Sequence, residues 1–180
     1  MTARPSDPVP PRPAVFFDRD GTINIDKGYV HRPNDLIFVA GAIAAIKRVN
    51  KLGYYAFLAT NQSGIARGYY TEADMHAFHE HLQRQLYAAG AHLDDIRYCP
   101  HLPDAPIPAY KRKSDWRKPA PGMFLDLMRA WPVLRDKSFV VGDKEIDMQA
   151  AQAAGLRGLR FQGGSLDEFL APYLMRDRET

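Results

Sequence analysis

Ala14-Val15-Phe16-Phe17 is a run of four apolar residues that stops at Asp18-Arg19-Asp20-Gly21-Thr22, and this transition recurs along the chain. Tyr55 to Ala59 stops at Thr60-Asn61-Gln62-Ser63-Gly64, and Ser138 to Val141 stops at Gly142-Asp143. Short continuous apolar runs closed by turn residues suit strands buried on both faces of a parallel sheet. Between the runs lie helical patterns. Ala42, Ile43, Ile46, Val49 and Leu52 recur at helical spacing before Gly53, and Phe78, Leu82, Leu86 and Ala89 do so before Gly90. Thr71 with Asp74 and Ser165 with Glu168 fit capping boxes opening two helices. Weaker signals place a strand at Ile96–Tyr98, a helix from Met123 to before Pro132, a helix over Ile146–Ala154 and a last strand at Gly158–Phe161. Alternating strands and helices predict an α/β fold: a doubly wound, mostly parallel sheet with helices on both faces. Ligands of such folds bind beyond the carboxyl ends of the strands, where the polar elbows gather.

With 180 residues, 46% of them apolar, the chain suits one globular domain, read here as 14–180. Residues 1–13 carry five prolines and no apolar stretch of signal type, and read as a flexible leader. No apolar run reaches the roughly 20 residues of a membrane span. A net charge of +3 is too small for a nucleic-acid coat protein. Cys99 is the single cysteine, so no internal disulfide can form, and a reducing, cytoplasmic compartment is expected. Neither GxGxxG nor a P-loop pattern is present.

Asp18 and Asp20 are two carboxylates one residue apart at the end of a buried strand; in extended chain both would face one pocket. Such a pair needs a shared cation or a proton, and Asp143 at the end of another strand could complete an oxygen-rich Mg²⁺ site. A lone DxDG also fits a simple turn before Gly21, and Asp143 with Asp147 also fits a helix N-cap. The three elbows taken together are harder to explain as turns.

These residues carry a resemblance. Asp18-Arg19-Asp20-Gly21-Thr22, Thr60, Lys118 and Gly142-Asp143 with Asp147 resemble the four motifs of the haloacid-dehalogenase (HAD) superfamily of phosphohydrolases, in the same order, over Ala14 to about Phe161. Asp18 to Asn24, Thr60 to Ile65, Arg117-Lys118-Pro119 and Gly142-Asp143-Lys144 are similar to the heptose 1,7-bisphosphate 7-phosphatases, and histidinol-phosphate phosphatases share much of this wording.

The resemblance implies a Mg²⁺-dependent phosphomonoesterase that removes the C7 phosphate of a heptose bisphosphate in nucleotide-activated heptose and surface polysaccharide synthesis. Asp18 would be the nucleophile, forming an aspartyl-phosphate, and Asp20 the general acid and base. Asp18, Asp143 and the Asp20 backbone carbonyl would hold Mg²⁺, with Asp147 orienting that shell. Thr60 and Lys118 would hold the transferring phosphoryl oxygens. Asp26, Gly28, Tyr29, Asn61, Gln62 and Ser63 would line the sugar. Arg117 and Lys144 would meet the second phosphate, with Arg67 a further candidate. The stretch from Asn24 to Ile37 is too short for a cap domain. A monomer acting on a small phosphorylated sugar, with no nucleic acid or membrane partner, is the expected state.

The alternatives are a histidinol-phosphate phosphatase and, outside enzymes, a basic-loop module binding anionic polymers through Lys111 to Lys118 with no need for Asp18 or Asp20. His76, His79 and His81 read as a solvated helix face. The resembling phosphatases carry a zinc loop of Cys-x-His and Cys-x-Cys. Here Cys99-Pro100-His101 keeps the first half and Ser114-Asp115-Trp116 replaces the second, so no structural zinc is expected. The prolines and Trp116 packing would hold the loop instead.

Overall fold

Strand β1, Ala14–Phe17, is buried along its whole length, and its residues alternate between two cores. The computed structural model describes residues 9–174. Val15 and Phe17 enter one core with helices α1 (Ala42–Lys51), α3 (Glu72–Ala88) and α6 (Leu166–Leu174). Ala14 and Phe16 enter the other with α4 (Gly122–Ala130) and α5 (Glu145–Ala153). The Phe16 ring lies 5.3 Å from Phe57 and 5.5 Å from Phe124, the latter edge-on. A strand that is apolar on both faces can only sit inside a helix-sheet-helix sandwich, and this one does.

The other strands are β2 (Tyr55–Asn61), β3 (Asp95–Cys99), β4 (Phe139–Gly142) and β5 (Arg157–Arg160), in the spatial order β3-β2-β1-β4-β5 with every pairing parallel. Strand order reverses at β1, so the ends of β1 and β4 flank the crevice that such sheets use for ligands.

Four local features refine the sequence-based expectation. β2 runs two residues further than the apolar run, because Thr60 and Asn61 continue the ladder against Tyr98 and Cys99. Ser63–Ala66 then makes a single helical turn, α2, inside the elbow. The proline-rich stretch 100–121 is ordered, with a 3₁₀ turn at Pro108–Tyr110, a bridge between Leu102 and Lys111, and Trp116 packed on the second core. The leader is fixed from Arg12, whose amide donates to Pro132 O (2.9 Å) and whose carbonyl accepts from Leu134 N (2.8 Å); residues 1–8 lie outside those described. The Thr71–Asp74 capping box forms as expected.

The connection from β1 to α1 contains only a 3₁₀ turn, Pro33–Asp35, and folds back on itself through Ile25 N to Ile37 O (2.8 Å) and Val39 N to Ile23 O (2.9 Å). It adds no second domain over the strand ends. No helix among the described residues is long and apolar enough to cross a membrane.

Candidate active site

The sheet ladder carries on one residue past β1, with Asp18 N donating to Val141 O at 2.9 Å. The chain then leaves extended geometry. Thr22, Ile23 and Asn24 all direct their amides at Arg19 O (3.3, 2.9 and 3.1 Å), and Gly21 takes φ +86° to allow the turn. Asp18 and Asp20 are thus joined by a turn and not by the extended chain expected from the sequence. The carboxylate of Asp18 faces Lys118, and that of Asp20 lines a cavity of about 340 Å³.

Lys118 is the centre of the buried charge. Its Nζ donates to Asp18 Oδ1 at 2.7 Å and to Ala59 O at 2.8 Å, and forms an ion pair with Asp147 Oδ1 at 2.7 Å. Burial alone would lower its pKa; the Asp18 and Asp147 carboxylates outweigh that and hold it above the usual lysine value. The backbone of Lys118 is fixed from the end of β2, because Asn61 Nδ2 donates to its carbonyl and Asn61 Oδ1 accepts from its amide, both at 3.0 Å.

Carboxylate oxygens of Asp18, Asp143 and Asp147 lie within 4.8 Å of one another. Asp143 Oδ1 is buried with no hydrogen-bond partner, and burial together with the neighbouring Asp18 charge raises the Asp143 pKa to about 6. An orphaned buried carboxylate oxygen beside two more carboxylates is what a hard divalent cation would satisfy. Asp147 Oδ2 accepts from Lys144 N at 3.0 Å, while its Oδ1 is ion-paired with Lys118 and, like Asp143 Oδ1, accepts no hydrogen bond. Asp147 is thus tied to both Lys118 and the Lys144 backbone, whereas Asp143 Oδ1 has neither kind of partner.

The remaining candidates gather around the same opening. Thr60 Oγ1, buried at the strand end, accepts from Gln62 Nε2 at 2.8 Å. Gln62 Nε2 also donates to Asp20 Oδ2 (3.2 Å), while Gln62 Oε1 accepts from Tyr70 OH (2.5 Å). Asp26, Gly28, Tyr29, Asn61, Gln62, Ser63, Arg117 and Lys144 line the cavity with Asp20. Asp26 Oδ1 accepts from Gly28 N at 2.9 Å and its Oδ2 lies 3.3 Å from Lys144 Nζ. Burial alone would lower Lys144, but Asp143, Asp26 and Asp18 outweigh it and raise its pKa. Arg117 is half-buried, and desolvation lowers its pKa. Lys111, Arg112 and Lys113 are exposed whereas Lys118 is buried, so the basic run does not form one surface.

Tyr70 and Ile146 also line the cavity, and neither stood out in the sequence. Arg19, in the sequence only one member of the Asp18–Thr22 motif, is fully buried and binds Asp20. The solvated-face reading of the histidines fails for His79, which is 5% exposed and faces Arg19; His76 does lie at the surface, beside Tyr98.

A HAD-hydrolase-like family model matches residues 115–169. The D-glycero-beta-D-manno-heptose-1,7-bisphosphate 7-phosphatase of Rhodopseudomonas palustris is 46% identical over 167 residues, 93% of each chain. The chain belongs to the heptose 1,7-bisphosphate 7-phosphatase family of HAD hydrolases. Its relative from Photorhabdus laumondii, of the same name, is 51% identical over 79% of this chain and 76% of its own. Among solved structures, D,D-heptose 1,7-bisphosphate phosphatase from B. bronchiseptica, complexed with magnesium and phosphate, has a TM-score of 0.75 at 36% identity, over 89% of this chain and 86% of that one. A HAD-like phosphatase from Mesorhizobium loti has a TM-score of 0.81 at 30% identity, over 97% and 90%. The family's α/β fold is therefore the one found here.

Proposed function

We propose that this chain hydrolyses the C7 phosphate of D-glycero-β-D-manno-heptose 1,7-bisphosphate, with Asp18 as nucleophile and Asp20 as proton donor and acceptor. The observation that carries the reading is the buried triad of Asp18, Lys118 and Asp147 together with a polar cavity lined by Asp20, Arg117 and Lys144. The β anomer is chosen because the relatives named above from Rhodopseudomonas and Photorhabdus carry it in their names. The same similarity favours the heptose substrate over histidinol phosphate.

Asp18 Oδ2 would attack phosphorus in line with the departing C7 oxygen, forming an aspartyl-phosphate that splits displacement by water into two easier steps. Asp20 would protonate the leaving oxygen and then take a proton from the water that cleaves the intermediate. Lys118 Nζ and Thr60 Oγ1 would stabilise charge on the phosphoryl oxygens. Arg117 and Lys144 stand at the cavity wall where cations could meet a second phosphate. Mg²⁺, held by Asp18, Asp143 and the Asp20 carbonyl with Asp147 as brace, would neutralise charge as the phosphoryl group moves.

Every group named comes from one chain, so a monomer would suffice, acting on a polar sugar phosphate in the cytoplasm. The loop 99–116 holds together without zinc in this reading. The deciding experiment measures Mg²⁺-dependent phosphate release from both heptose bisphosphate anomers and from histidinol phosphate. Preference for the β heptose and complete loss in Asp18→Asn are expected. Preference for histidinol phosphate would overturn the substrate, and turnover retained by Asp18→Asn would overturn the mechanism.

A further inference from the structure

Among the described residues Arg19 is the bulkiest fully buried side chain, and a buried guanidinium is tolerated only when its donors are satisfied. Its Nε donates to both Asp20 oxygens at 3.2 Å, and its Nη2 donates to Asp20 Oδ1 at 3.1 Å and to Val30 O at 2.5 Å. Its remaining nitrogen, Nη1, lies 3.2 Å from Nε2 of His79 on α3. Phe78, the residue before His79, places its ring 4.6 Å from the guanidinium carbon. Arg19 is thus gripped from one side by helix α3 and grips Asp20 from the other.

The contact with His79 fixes more than distance. Arginine has donors only, so the pair is attractive only if Nε2 presents a lone pair, which requires a neutral ring with its proton on Nδ1. Burial and the Arg19 charge push His79 down to about 3, in agreement with a neutral ring. No other histidine is buried among the described residues. A histidine at this position therefore acts as a hydrogen-bond acceptor that orients a cation, where an apolar residue of similar size would leave Nη1 without a partner.

We infer that His79 is a positioning residue for the proton transfer at Asp20, acting through Arg19. The inference rests on the reading of Asp20 as the group that protonates the leaving oxygen. Rotation of an unrestrained Arg19 fork would turn the Asp20 carboxylate away from that oxygen. A leaving group that departs as a stable anion needs no such proton, so the defect should depend on the leaving group.

The test compares kcat/KM for heptose 1,7-bisphosphate, an alkyl phosphate, with kcat/KM for 4-nitrophenyl phosphate, whose leaving group departs unprotonated. This parameter reports steps up to leaving-group departure and excludes hydrolysis of the shared aspartyl-phosphate. The ratio of the two values within one sample is also independent of the fraction of folded enzyme. His79→Leu should lower the alkyl value by about 10- to 100-fold, the scale of a displaced catalytic group, with about twofold loss or less on the aryl ester. His79→Gln, whose Oε1 can accept from Arg19, should restore most of the difference. Equal losses on both substrates, no loss on either, or failure of His79→Gln to restore the ratio would overturn the inference. Asp20→Asn is the reference. If it shows the leaving-group dependence and His79→Leu does not, only the role of His79 falls; if it shows none, the acid role of Asp20 falls and the inference with it.

Discussion

Asn61 holds the backbone of Lys118 by both ends of its side-chain amide, at 3.0 Å each, across 57 residues of sequence. The strand that carries Thr60 thereby sets the depth to which Lys118 reaches between Asp18 and Asp147. Asn61→Ala should lower kcat/KM about tenfold, roughly the worth of one to two net hydrogen bonds, while the Mg²⁺ concentration for half-maximal rate stays unchanged. Steady-state kinetics across a Mg²⁺ titration read both quantities.

Removing the ammonium itself should do more. Lys118→Met leaves Asp18 and Asp147 buried without their cation, and breaking a buried pair in this way costs about 3–5 kcal/mol. Turnover should vanish and denaturant unfolding should shift by that amount, with Mg²⁺ recovering part of the stability and none of the activity. An unchanged unfolding midpoint would contradict the charge arrangement described.

Gly21 and Gly28 separate two causes that a glycine substitution usually mixes. Both have positive φ, +86° and +78°, so alanine strains either by about 1–2 kcal/mol. A Cβ at Gly21 would overlap the Asp143 carboxylate, whereas one at Gly28 meets nothing within 4 Å. Gly21→Ala should therefore raise the Mg²⁺ requirement by about tenfold or more, and Gly28→Ala should leave it alone; isothermal titration of the metal distinguishes them.

The depressed His79 pKa links folding to acidity. Below 6.5 the unfolded chain binds a proton that the folded chain refuses until about pH 3. The stabilisation is thus fully present above pH 6.5 and is lost as pH falls from there towards 3, amounting to a few kcal/mol at about 1.36 kcal/mol per unit. Denaturant unfolding between about pH 4 and pH 8 should show a shallower decline on acidification in His79→Gln than in the unaltered protein.

In the proline-rich loop, Ser114 Oγ accepts from Trp116 N at 3.2 Å, and Cys99 Sγ stands 3.9 Å from His101 Nδ1. With a closed zinc shell needing four ligands, elemental analysis should find no stoichiometric zinc, and Cys99→Ala should keep its activity in the presence of a zinc chelator. One tightly bound zinc per chain would refute this.

Much of the molecule could be read from short apolar runs and what stops them. β1 needed no tertiary information, because four apolar residues before a polar elbow have few other places to go. Asp18, Lys118 and Asp143 were legible through motif wording. β2 hid its last two residues because Thr60 and Asn61 are polar, and only their pairing with β3 makes them strand. His79 is the instructive miss. Met75, Phe78, His79, Leu82 and Leu86 fall at i, i+3, i+4, i+7 and i+11, so the helical period did place it on the buried face. Its polarity concealed that, since the partner that makes burial tolerable, Arg19, lies 60 residues away in sequence.

The short flap between β1 and α1 has a consequence for which acceptor takes the phosphoryl group. A site that shuts behind its substrate can retain the released alcohol and return phosphate to it at another hydroxyl. Among the described residues nothing of domain size closes over the strand ends, so under the proposed mechanism the dephosphorylated sugar would be free to diffuse off and water to enter in its place. Solvent entry would then commit the proposed aspartyl-phosphate to hydrolysis, and added small alcohols should compete with water in proportion to their concentration.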